Sequence, residues 1–208
     1  MGRKKSLSHH LSRRELDDAE LNVAIDEFQD GSDRVAAIMG AALVESHLMD
    51  AIRTSLVDAF DMNALFHDQG APFGTFKARI VAGRALGLYD ERVAADLDII
   101  RDIRNQFAHA LLSLSFENPH IAGRCSGLGD HPVFYFDGTP INCSNAHGRN
   151  VSETRLRYEK LCWQLSLRLA QKVTELLDKE AEELRRLGGA SSNALAAFAV
   201  ESTERGGS

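Results

Sequence analysis

The chain of 208 residues has three cysteines, four prolines and one tryptophan, and aromatic residues make up only 7% of it. Cys125, Cys143 and Cys162 form an odd set without a CxxC pair, on a chain showing no secretory signal pattern. That argues against a disulfide framework and for reduced thiols in the cytoplasm. Cys125, His131, Cys143 and His147 have gaps that match no standard zinc finger, so neither a metal nor a cofactor is expected. No apolar run approaches the roughly 20 residues that a membrane span requires. Lys and Arg number 24 against 30 Asp and Glu, a net charge of -6. The surface as a whole therefore does not attract nucleic acid, and any such contact needs a local basic patch. No Lys-Ser or Lys-Thr follows "GAPFG", which excludes a phosphate loop. Neither a helix-turn-helix nor a zinc-finger pattern is visible, so direct reading of a DNA sequence is not expected.

What the chain does have is helical periodicity. After a basic arm over residues 1–14, with five Lys or Arg and no acid, Leu16, Ala19, Leu21, Val23, Ile25 and Phe28 support a first helix. Ser32 or Asp33 caps a long helix to about Val57. "HDQGAPFGTF" is a loop, followed by a short helix from Thr75 to Leu86, ended by Gly87, and a longer one from Asp90 to Leu112. Asp137-Gly138 signals a hairpin whose second strand is weakened by Pro140. Ser152 or Glu153 opens the last long helix, with Leu156, Leu161, Leu165, Leu169, Val173, Leu176 and Leu177 as its apolar stripe. The expectation is an all-α helical bundle with a small β-hairpin flap over about 129–150, one helical domain over 15–187, and a flexible tail over 188–208.

Polar chemistry concentrates in "IRDIRNQFAHALLSLSF", residues 100–116. At roughly 100° per residue, Ile99, Ile100, Ile103, Phe107, Ala110, Leu111 and Leu114 fall on a core face, and Arg101, Asn105 and His109 form a strip on the other side. Arg104 sits at the edge of the apolar face, about 140° from His109, so one helix alone does not converge them. Two antiparallel copies across a dimer twofold would. Glu45 is a second anomaly: it lies amid Ile38, Ala41, Ala42, Leu48, Met49, Ile52 and Leu56. A carboxylate there needs a partner, because an unpaired buried charge costs several kcal/mol. Arg104 is the first candidate and Arg79 the second.

"SDRVAAIMGAALVESHLMDAI", "LFHDQGAPFGTFKARIVAGRALGLYDE" and "LDIIRDIRNQFAHALLSLSFENPHIAGRCSGL" resemble, in order and spacing, the mannitol operon repressor (MltR) family over about Ser32 to Leu128. Ser32, Asp33, Arg34, Glu45, Phe76, Arg79, Ile80, Arg101, Arg104, Asn105, Phe107, Ala108 and His109 fit position by position. The resemblance implies a helical transcriptional regulator that acts through a protein partner, since no DNA-reading motif accompanies it. Arg104-Asn105-Gln106-Phe107-Ala108-His109 also resembles the signature of the HEPN superfamily, helical bundles that often dimerise. That second resemblance implies a homodimer and a metal-independent ribonuclease, a toxin or defence effector. In it Arg104 would hold the phosphate, His109 would move protons, and Asn105 and Arg101 would add donors. A planar guanidinium and a histidine near neutral pKa suit that task. The readings are a regulatory binding module, a ribonuclease and, third, a nucleotide or small-ligand binder in the same pocket; the first is favoured, with Glu45, Arg79, Arg101 and Asn105 as a binding or structural polar cluster.

Overall fold

A computed structural model describes residues 27–28, 30–56, 61–130, 135–136, 139–140 and 151–204. The order is α1 (Asp33–Thr54), α2 (Met62–Phe66), α3 (Phe76–Ala85), α4 (Glu91–His109), α5 (Pro119–Ser126), β1 (Tyr135–Phe136), β2 (Thr139–Pro140) and α6 (Glu153–Glu204). The molecule is an all-α bundle. The helix starts lie where short polar side chains can take up free backbone donors: Ser32, Thr75, Asp90 and Asn118 each accept from a first-turn N–H of the helix that follows. Gly87, at φ 70°, turns the chain after α3, in a region that only glycine enters without steric cost.

α1 is the central element, packed mainly on α6 and also on α4 and α3. By length and composition alone α1 would be long and apolar enough to cross a membrane, which the search for an apolar run had not anticipated. Its apolar side is instead buried in the bundle, where Ala36, Ala37, Ala41, Val44, Leu48, Ala51 and Ile52 are fully covered. This face is rotated from the expected one. Ile38 and Ala42 are exposed and Glu45 sits at the rim, because α1 carries apolar residues on several sides and periodicity alone does not choose between them. At Gly40 side chains pack directly on the α1 backbone: a Cβ would lie 3.0 Å from the Phe28 ring, 3.1 Å from the Cys162 sulfur and 3.2 Å from the Tyr158 ring.

The ends of several elements depart from expectation. α4 stops at His109 instead of Leu112, and Leu111, expected in the core, is fully exposed. Phe116 takes its place, wholly buried with its ring centroid 4.9 Å from Phe107 and 5.2 Å from Tyr158. α5 was not anticipated, although Asn118 as cap and Pro119 in the first turn are a recognised start signal. α6 continues to Glu204 through the stretch expected as a tail. Alanines at 190, 194, 196, 197 and 199 favour helix strongly enough to carry it past Gly188 and Gly189. β1 and β2 form a minimal antiparallel rung, Tyr135 opposite Pro140 and Phe136 opposite Thr139. The remainder of the expected flap, the basic arm, and most of the helix expected after it lie outside the described residues.

The core has a consequence for alkaline stability. Burial pushes the Cys125 thiol from 9.0 up to about 12, with the Arg157 charge opposing only in part. Burial raises Cys162, Tyr158 and Tyr89 as well. These groups are neutral in the fold and ionise at lower pH once unfolded. Their contribution is therefore complete below about pH 9 and is lost as pH rises toward about 12. Urea midpoints should fall steadily between about pH 8.5 and 10.5, and an unchanged midpoint would contradict this.

Candidate functional site

The polar centre is built where α1, α3 and α4 meet. Glu45 of α1 lies between two arginines: its Oε1 is 2.7 Å from Arg79 Nη1 and its Oε2 is 3.4 Å from Arg104 Nη2. Arg79 is thus the closer partner, and the expectation that Arg104 would be is corrected. The reason is positional. Arg79 is the most enclosed of the three, its side chain 11% exposed against 22% for Glu45 and 32% for Arg104. It also donates from Nε to the Phe73 carbonyl at 2.8 Å, and its guanidinium lies 5.9 Å from the Phe66 ring centroid. Burial lowers the Arg79 pKa from its ordinary value, and the Glu45 charge pulls it back. The Pro-Gly turn before α3 therefore has a structural task, since it delivers the Phe73 carbonyl to Arg79.

On the outer side of α4, Arg101 does not stand free as a phosphate donor. It lies 3.4 Å from Asp98 and 2.6 Å from Asp102, while Lys77 pairs with Asp98 at 2.6 Å and Arg124 with Asp102 at 2.5 Å. The result is an alternating chain of five charges linking α3, α4 and α5. Each pair contributes little to stability, but Arg101, between two carboxylates, is committed to them on the face from which a phosphate would be gripped. Asn105 is half-buried and His109 exposed, and neither makes a side-chain hydrogen bond or ion pair among the described residues.

Arg104 and His109 are not brought together within one chain. Five residues of helix separate them by roughly 7.5 Å along the axis, and Arg104 turns toward Glu45 while His109 stands in the last turn of α4, facing solvent.

Residues that sequence reasoning did not assign a role, Arg34, Arg155 and Glu159, carry the most elaborate polar network, and Asp33 joins them. Arg34 donates to the carbonyls of Ala110, at 2.6 Å, and Leu112, at 3.2 Å, and Asp33 accepts from the Phe116 backbone N–H at 2.9 Å. These bonds anchor the segment that follows α4, whose capping residue Ala110 has left the helical path at φ -65° and ψ 120°. The other Asp33 oxygen is 3.1 Å from Arg155 Nη1, and Arg155 also reaches Glu159 at 2.6 Å and the carbonyls of Gly31 and Phe28 at 2.8 and 3.4 Å. The "SDR" triplet is therefore a joint: Ser32 caps α1, Asp33 ties α6 to the 110–116 segment, and Arg34 fixes that segment's backbone. Among the described residues no group of three or more His, Cys, Asp or Glu is placed to hold a metal ion.

Fold and site together define a helical bundle whose central arginines are paired internally and whose segment after α4 is anchored by Arg34 and Asp33. No family model matches the chain, and no curated protein matches it. Among solved structures, the chain is similar to the X-ray structure of the MtlR-HPr complex from Escherichia coli, at 17% identity and a TM-score of 0.44, over 74% of this chain and 96% of that one.

Proposed function

We propose that this protein is a cytoplasmic regulatory binding module, of the kind the mannitol operon repressor resemblance implies, which acts on transcription through a protein partner and does not read DNA itself. The observation that carries the reading is the presentation of Leu111 and Leu112. They are 100% and 83% exposed, yet Arg34 binds the carbonyls of Ala110 and Leu112 and the segment is closed by Asp33 at Phe116. Folding gains nothing from two leucines left in water on an anchored segment; a partner surface gains both apolar area and preorganisation.

The ribonuclease reading has one observation in its favour, the exposed and uncommitted His109. Against it, Arg104 is already engaged by Glu45 and Arg101 by two carboxylates, so a second copy would have to supply the missing half. Changing Leu111 and Leu112 together to serine tests the proposal. The double variant should melt within about 1–2 °C of wild type, since surface changes away from specific contacts are close to neutral. Transcripts under the protein's control should nevertheless shift to the level of cells lacking it. Wild-type regulation by the double variant would sink the reading. RNA cleavage in EDTA by the wild type but not by His109→Ala would establish the ribonuclease instead.

A further inference from the structure

Away from the arginine centre, a cavity of about 360 Å³ opens between α6 and the segment after α5, lined by Gly129, Asp130, Leu156, Arg157, Lys160, Leu161 and Gln164. Positions 156, 160 and 164 recur at one-turn spacing, so the α6 wall is a single helix face. The opposite wall is fixed: the Gly129 N–H donates to Asp96 at 2.9 Å, Arg92 donates to the Asp130 carbonyl at 3.0 Å, and Arg157 donates to the Leu128 carbonyl.

Gln164 is the informative residue. It is only 4% exposed, it lines the cavity, and its amide makes no hydrogen bond among the described residues. Its amide is not sealed from solvent, since Ser166 Oγ is the sole fully buried side-chain polar atom without a partner among the described residues; the amide faces the cavity and is free to bond an occupant. Lys160, one turn away and exposed, has no carboxylate partner among the described residues. Arg157 has one at 4.0 Å, the Asp130 carboxylate, which is itself almost wholly in solvent. The remaining wall, from Leu156 and Leu161, is apolar.

From this geometry we infer that the cavity is a binding site for a small organic anion: an acidic head between Lys160 and Arg157, an aliphatic body along Leu156 and Leu161, and a polar group on the Gln164 amide. Both a carboxylate and a phosphate monoester satisfy the two cations, but inorganic phosphate alone leaves the apolar wall and the amide unused. The site shares no residue with the segment proposed for a protein partner, so the two stand or fall separately.

The 208-residue chain should be titrated with 2-hydroxyisocaproate, 4-hydroxybutyl phosphate and inorganic phosphate, by thermal shift and ligand-observed NMR. One of the two organic anions is expected to raise the melting temperature in a saturable way at about 10 mM or below, and which of them does so identifies the head group. Lys160→Glu, at an exposed position, should leave the unliganded melting temperature intact and abolish binding. Gln164→Leu should weaken binding by about tenfold. The inference is overturned if neither organic anion binds, if inorganic phosphate binds as well as they do, or if Lys160→Glu binds like wild type.

Discussion

Replacing Arg155 by alanine is expected to destabilise the fold by about 3–5 kcal/mol, the range for removing one member of a buried ion pair. For a chain of this size that corresponds to a fall in melting temperature of roughly 6–20 °C. Arg155 and Glu159 are each 4% exposed, one turn apart on α6, and the guanidinium divides its donors among Glu159, Asp33 and the carbonyls of Gly31 and Phe28. Alanine removes all of these bonds while leaving the acceptors where water reaches them poorly. Lysine should rescue little of the loss, because a single ammonium does not reproduce a planar fork directed at several acceptors. Arg155→Met combined with Glu159→Leu should recover part of it, since the buried Glu159 carboxylate is removed with its counter-ion and the Asp33 carboxylate, which loses Arg155 too, is partly in water. A drop under about 2 °C for Arg155→Ala would show that the network is not structural. The effect also reaches the exposed leucines. Asp33 holds both Arg155 and the Phe116 N–H, so the variant should be cut faster by protease within residues 110–116.

Local signals predicted the helices well and the tertiary network poorly. Ser32, Asp90 and the Ser152-Glu153 start were visible because a cap acts on residues two or three positions ahead. Glu45 stood out because a carboxylate amid apolar residues needs a cation, and both of its partners were among the candidates named. Choosing between Arg79 and Arg104 required knowing how far each is enclosed, and that depends on the Phe73 carbonyl and the Phe66 ring, neither of which periodicity locates. The extension of α4 to Leu112 failed for a related reason. The pattern of Ile100, Ile103, Phe107 and Leu111 is a good helical stripe, but Ala110 turns extended and the segment beyond it is held by Arg34, 76 residues away in sequence from Ala110, and by Asp33. Asp33 and Arg34 were noticed through a resemblance before any role could be given to them, and Arg155 and Glu159 were not noticed at all. An Arg and a Glu four apart on a helix are most often a solvated pair, and only the packing of α6 against α1 makes this one buried.

Glu45→Ala is expected to cost about 2–3 kcal/mol, less than a fully buried pair because Glu45 and Arg104 retain contact with water. The larger part of the loss should come from Arg79. Burial already lowers its pKa, and without Glu45 it retains only the Phe73 carbonyl and the face of Phe66. Double-mutant cycles separate the contributions: the coupling between Glu45 and Arg79 should be about 1.5–2.5 kcal/mol, and that between Glu45 and Arg104 no more than about 1 kcal/mol. The distances of 2.7 and 3.4 Å and the greater exposure of Arg104 set that order. Equal couplings, or strictly additive losses in both cycles, would be inconsistent with this geometry. The ranking also bears on function. An arginine held weakly by Glu45 is the one that a second ligand can most easily recruit, so Glu45→Gln is the variant in which a latent phosphate site at Arg104 would be most available. With His109 one and a half turns further along α4 and directed elsewhere, that variant should still not cleave RNA as a monomer. If it did, the regulatory reading would fail even though the salt-bridge energetics were right.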